Sequence, residues 1–200
     1  MSFIKRNFHD ILRLYINQVG ITIFALMLYT ACGVVDNDLL LAKLRTVISV
    51  FSILFFFVLL YYVAWEYGAK DLIRVDGGKI ERSSAKGLLM ALIANIPNLL
   101  LSVATCIFGF LYVGGNQALG NFFGLFQAIT MAHASMYMGL IQTIVYGFTA
   151  VDAVAIDYRY LIMPILFVVI PLLSVAVVHF AYTLGYKEIK IVKVLFDRKK

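Results

Sequence analysis

The chain has 200 residues, of which 62% are hydrophobic and 14% charged, against roughly 25% charged in ordinary globular proteins. So much apolar mass excludes a water-soluble fold, which would have too little polar surface to coat it. The formal charge of +6 does not indicate a nucleic-acid partner, because the cations flank apolar runs and form no stripe with interleaved aromatics.

Fourteen of the seventeen Lys and Arg residues fall in three short segments. These are residues 1–16 (Lys5, Arg6, Arg13), 66–86 (Lys70, Arg74, Lys79, Arg82, Lys86) and 185–200, with six cations. Such clustering marks the cytoplasmic ends of membrane spans. The expected fold is an all-α, polytopic transmembrane helical bundle of four to six membrane segments. Its partners are the lipid bilayer and anionic lipid headgroups, where each juxtamembrane cation gains about 1 kcal/mol.

Residues 3–15 place Ile4, Phe8, Ile11, Leu12 and Tyr15 at helical spacing, with charged residues largely around the other side. Residues 1–16 therefore read as an amphipathic interfacial helix, and 17–184 as a single transmembrane domain. Charges run through the first 13 positions, which argues against a cleavable signal peptide. Span one covers about 17–35, and a loop at 36–45 carries Asp36, Asp38, Lys43 and Arg45. Span two is about 46–65. Its nearly unbroken apolar run from Phe51 to Tyr62 is expected to face lipid, ending in an aromatic anchor at Tyr61, Tyr62, Trp65 and Tyr67. Glu66 follows, solvated or paired with Lys70.

In the loop 66–86, Asp76-Gly77-Gly78 signals a tight turn, in a small hairpin or a helix–turn–helix link. Span three covers about 87–112 and is broken by Gly114-Gly115-Asn116-Gln117. An apolar stretch at 122–150, a loop with Asp152, Asp157 and Arg159, a last span at 160–184 and the basic tail 185–200 complete the chain.

This order creates a parity problem. With the three basic segments on one side, an even number of crossings must follow residue 86. Residues 122–150 are too few for two full crossings, which need roughly 40 residues. A re-entrant half-helix pair at 119–150 satisfies parity; five simple crossings, with the tail defying the positive-inside rule, are the alternative. Re-entrant backbone is tolerated only where it is buried in protein or lines water.

Span three carries a polar face: Gly87, Ala91, Asn95, Asn98, Ser102, Thr105 and Gly109 recur at steps of three and four. Pro97 lies within it and removes the backbone bond to the Ile93 carbonyl. A second small-residue stripe, Gly124, Ala128, Ala132, Ser135, Gly139 and Thr143, is expected to pack against span three. Gln127, Gln142 and His133 add polar groups, His133 being the only ionisable residue near the centre of that stretch. Asn95, Asn98, His133, Gln142 and Gln127 are the substrate-path candidates, and Pro97 and Pro171 the helix-kink candidates. The competing reading is packing, with amide bonds across helices worth about 0.6 kcal/mol each.

No metal or cofactor site is expected. Cys32 and Cys106 lie in apolar runs without ligand spacing, the Met residues near His133 do not share a helix face, and free thiols are expected. Asp36 and Asp38 with Asp152 and Asp157 read as loop caps before a weak cation site. The sequence lacks a P-loop, HExxH, GxSxG and GxGxxG, which argues against an enzyme. The expected function is a small transporter or the membrane subunit of a transport complex, with any ATPase supplied by a partner. The alternative is a structural, regulatory or immunity-type membrane protein. The expected location is a bacterial plasma membrane, with both termini cytoplasmic.

Overall fold

A computed structural model of the chain describes residues 3–81, 83–147 and 159–189. Among them every regular element is helical: α1 Phe3–Ala31, α2 Asp38–Asp76, α3 Lys86–Ala94, α4 Ile96–Val113, α5 Gly120–His133, α6 Ser135–Tyr146 and α7 Arg159–Tyr186. Four stretches are long and apolar enough to cross a membrane: Phe3–Val34, Asp38–Asp76, Lys86–Val113 and Ile162–Tyr186. A fifth apolar stretch, Gln117–His133 followed by Ser135–Tyr146, is bent by 113°. The protein is thus an all-α multi-pass membrane protein with a bent helix pair where chain parity called for one. The acids Asp152 and Asp157, the last residues of the 119–150 segment and the tail from 190 lie outside the described residues.

Helix ends follow local chemistry. The expected loop at 36–45 shrinks to three residues, because α2 begins at Asp38. Asn37 Oδ1 accepts the Leu40 amide at 2.9 Å, and Asp38 in the first turn suits the positive end of the helix dipole. With 39 residues, α2 is about 58 Å long. That is nearly twice the ~30 Å hydrocarbon core, so the helix projects beyond it. At its other end Gly78 adopts φ +68°. The Gly78 amide bonds the Val75 carbonyl and the Lys79 amide the Arg74 carbonyl, both at 2.9 Å. This is a Schellman stop, and it makes 66–86 a helix–turn–helix link instead of a hairpin.

Two compact units partition the chain. The first comprises Met1–Asn17, Phe57–Ala94 and Leu173–Lys200; the second comprises Gln18–Phe56 and Asn95–Leu172. The described residues of all three basic segments therefore belong to one unit. Within it, Glu66 accepts Lys70 at 2.5 Å and Arg13 at 3.5 Å. The close crossing of α2 and α7 depends on glycine. A methyl group on Gly68 would overlap the Tyr182 carbonyl, and one on Gly185 the Trp65 carbonyl. A methyl group on Gly87 would lie 2.7 Å from Tyr182 Cβ.

The amphipathic face expected at 3–15 is only partly the packing face. Asn7, Ile11 and Leu14 are buried, whereas Ile4, Phe8 and Leu12 are exposed. Asn7 is where the helix bends (φ −113°, ψ 15°), and its amide nitrogen donates to the Phe3 carbonyl at 2.9 Å. From there the buried positions step by three and four through Gln18 and Thr22 to Tyr29. Similarly, Phe51–Tyr62 does not face lipid all round. Ser52, Ile53, Phe56 and Leu60 are buried, while Phe51, Leu54, Phe55, Val58 and Tyr62 are exposed. A span with neighbours on one side must bury one stripe.

In the second unit α4 packs on α5 through Thr105–Thr130, hydroxyl to hydroxyl at 2.8 Å, and through Phe108 stacked on Phe122 and Phe126. The predicted stripe from Gly124 to Thr143 does not form one seam against span three. The bend at Ala134 divides it: Gly124, Ala128 and Ala132 are exposed, while Ser135, Gly139 and Thr143 turn to α1 and α2.

Pro171 does not interrupt α7, which runs continuously from Arg159 to Tyr186. Proline at this position deprives the Phe167 carbonyl of its usual amide donor four residues on. The Ser102 hydroxyl takes that role, donating to the Phe167 carbonyl at 3.2 Å. Ser102→Ala should therefore cost about 1–3 kcal/mol, the penalty of a buried unpaired acceptor. In a Pro171→Ala background, where the helix supplies its own amide, the same change should cost less than about 1 kcal/mol. Unfolding midpoints of the four proteins in detergent test this; equal costs in both backgrounds would refute it.

Candidate functional site

The polar face foreseen in span three is buried along its whole length: Gly87, Ala91, Asn95, Asn98, Ser102, Thr105 and Gly109. The span is two helices, α3 and α4, divided at Asn95. Pro97 does not kink a continuous helix; it sits in the first turn of α4, where the missing amide would lack an intrahelical partner anyway. The break thus falls two residues before the proline, at the residue predicted to face the path. Asn95 is 5% exposed and Asn98 0%. Neither the amide nitrogen nor the amide oxygen of Asn98 has a hydrogen-bond partner among the described residues.

Other buried polar atoms in this unit also lack partners among the described residues, including two on fully buried side chains, the Tyr137 hydroxyl on α6 and the Ser52 hydroxyl on α2. Buried polar atoms are nearly always paired, and an unpaired one costs about 1–3 kcal/mol. Sequence reasoning missed both. Ser52 lies in an apolar run that reads as lipid-facing, and a tyrosine between two methionines carries no pattern.

His133 ends α5 and Ser135 begins α6, so the bend lies at Ala134. It is held to α1 twice over. The Thr22 hydroxyl donates to the His133 carbonyl at 3.1 Å, and the Ser135 hydroxyl donates to the Thr22 carbonyl at 2.7 Å. Thr22 thereby satisfies a carbonyl that the broken helix leaves open, and Ser135 returns a second bond to the α1 backbone. Further along α6, the Gly139 amide donates to Ser49 Oγ at 2.8 Å, and Thr143 and Thr46 share a hydroxyl contact at 2.5 Å. The arms Gln117–His133 and Ser135–Tyr146 span about 25 Å and 18 Å, each shorter than the ~30 Å core.

The remaining candidates separate. Gln142 accepts the Tyr29 hydroxyl at 3.1 Å, and the Tyr29 ring lies 5.2 Å beneath the Arg45 guanidinium. That ties Gln142 to α1 and α2. Gln127 is half-buried on α5. Both cysteines are free.

The first unit holds a charged cluster that sequence reasoning did not single out. The Asp71 carboxylate, 3% exposed, accepts the Lys86 ammonium at 2.6 Å and the Tyr182 hydroxyl at 2.8 Å through Oδ2. Arg74 lies 3.5 Å from its Oδ1. Lys86 is itself buried and opens α3, where a cation opposes the helix dipole; the Asp71 carboxylate compensates it. Beside this cluster is a cavity of about 110 Å³, lined by residues of α1, α2, α3, α7 and the α2–α3 turn.

No protein-family model, curated protein or solved structure matches this chain.

Proposed function

We propose that the protein is a small transporter or the membrane subunit of a transport complex, with the buried face around Asn95 and Asn98 as its solute path. The observation that carries this is Asn98, a fully buried amide with both polar atoms unpartnered among the described residues, three residues beyond a break in its span. The second interrupted segment, at Ala134, supports the reading. Paired discontinuous helices with exposed backbone groups at depth are how many transporters build a midplane site, although that likeness is one of class alone. The chain's sequence has no nucleotide motif, so any ATP-driven step belongs to a partner subunit.

The basic segments and both termini are cytoplasmic in this proposal, in a bacterial plasma membrane whose anionic lipids the cations meet. The bent pair then enters and leaves from the outer face.

Cysteine accessibility tests both parts. In a Cys32→Ala/Cys106→Ala background, Asn98→Cys should react with a small charged thiol reagent in proteoliposomes, and Asn98→Leu should abolish flux of the solute found in a radiolabelled panel while folded yield is unchanged. Ala118→Cys and Ala155→Cys should both be labelled from outside the cell. An inert Asn98→Cys and flux-competent Asn98→Leu would favour the structural reading, in which these residues only pack. Labelling at Ala118→Cys alone would favour five simple crossings.

A further inference from the structure

We infer that the cavity in the first unit binds a phosphate group, carried either by an anionic membrane lipid or by a small soluble phosphoester. Arg6 from α1 and Arg74 from α2 both line it, with Ser83 in the turn before α3. Arg6 has no acidic partner among the described residues. Arg74 touches Asp71 only at 3.5 Å and is about half exposed. Asp71 is already taken by Lys86 and Tyr182, so the deepest acid on the wall is neutralised internally. Two guanidinium groups on the wall are therefore available to a tetrahedral anion, for which arginine's planar fork exceeds lysine. Phe3, Ile80 and Leu89 give the wall apolar surface, which suits a group joined to an apolar body. The exposed Glu81 carboxylate also lines the cavity and opposes an anion. This inference does not rest on the transport reading.

A diffuse attraction of the basic end for anionic lipid would be indifferent to which cations are removed, at about 1 kcal/mol each; a built site is not. The test uses the purified full-length protein, delipidated in uncharged detergent, with the unfolding midpoint followed against added phosphatidylglycerol. A saturable rise is expected, absent with phosphatidylcholine. Arg6→Ala/Arg74→Ala should weaken the apparent affinity about tenfold while leaving the lipid-free midpoint in place. Arg6→Lys/Arg74→Lys, which keeps the charge and loses the fork, should fall between and covers any folding defect of the alanine pair. Lys5→Ala/Lys79→Ala removes the same charge from the same unit outside the cavity and should bind as wild type. Glu81→Gln should bind more tightly. Competition by glycerol 3-phosphate would identify a soluble phosphoester as the ligand, and no competition the lipid. Equal losses in the arginine and lysine pairs, or equal stabilisation by phosphatidylcholine, would overturn the site.

Discussion

Lys86→Met is expected to destabilise the protein by about 3–5 kcal/mol, the cost of leaving one member of a buried ion pair uncompensated. The Asp71 carboxylate would keep the Tyr182 hydroxyl at 2.8 Å and a distant Arg74, but lose the ammonium that lies 2.6 Å away. Asp71→Leu should cost a similar amount, because the Lys86 ammonium would then sit buried at a helix start that already repels it. The double replacement Asp71→Leu/Lys86→Met should recover most of the loss, since apolar side chains of similar size often replace a buried pair at little or no cost. Unfolding of the four proteins in detergent gives the cycle directly. Additive losses in the double variant would show that the two groups do not act as a pair.

Gly68→Val and Gly185→Val should each prevent native packing, with losses at or beyond the ~1–3 kcal/mol typical of overpacked cores. At both positions the obstacle is a carbonyl of the opposing main chain, which no rotamer change can move aside. The whole helix must retreat, and the contacts flanking the crossing go with it. Gly20→Ala and Gly124→Ala are the controls, because nothing lies within 4 Å of either position. They should be neutral or stabilising by less than about 1 kcal/mol, the helix-propensity gain of alanine over glycine. Monodisperse folded yield and melting midpoint separate the pairs; equal behaviour of all four variants would mean the crossing is not tight.

Much of the membrane architecture was legible because it follows from counting. Span lengths, the clustering of cations and the parity of crossings need no knowledge of partners, and together they located the interrupted segment. The buried face from Gly87 to Gly109 was equally legible, since a helical period over more than twenty residues leaves little choice of face. Legibility failed where a period was carried across a break. The stripe from Gly124 to Thr143 presumed one helix, and the turn at Ala134 sent its second half to Thr22 and Ser49. The ends of α2 were misjudged because charge was taken for loop, whereas Asn37 and Asp38 are helix-starting chemistry. Asp71 and Lys86 were hidden for another reason. Both lie in a segment that reads as solvated, and their burial depends on Tyr182, 111 residues from Asp71 in sequence.

The anchoring of the bend to Thr22 also bears on how this protein is made. Neither arm of the pair is long enough to leave the translocation machinery as a stable insertion unit, and each exposes open backbone groups at the turn. Their partners, Thr22 on α1, Ser49 on α2 and Thr105 on α4, are all synthesised earlier. The ribosome thus delivers the receiving scaffold before the segment that cannot survive in lipid without it, and α7 is laid down afterwards.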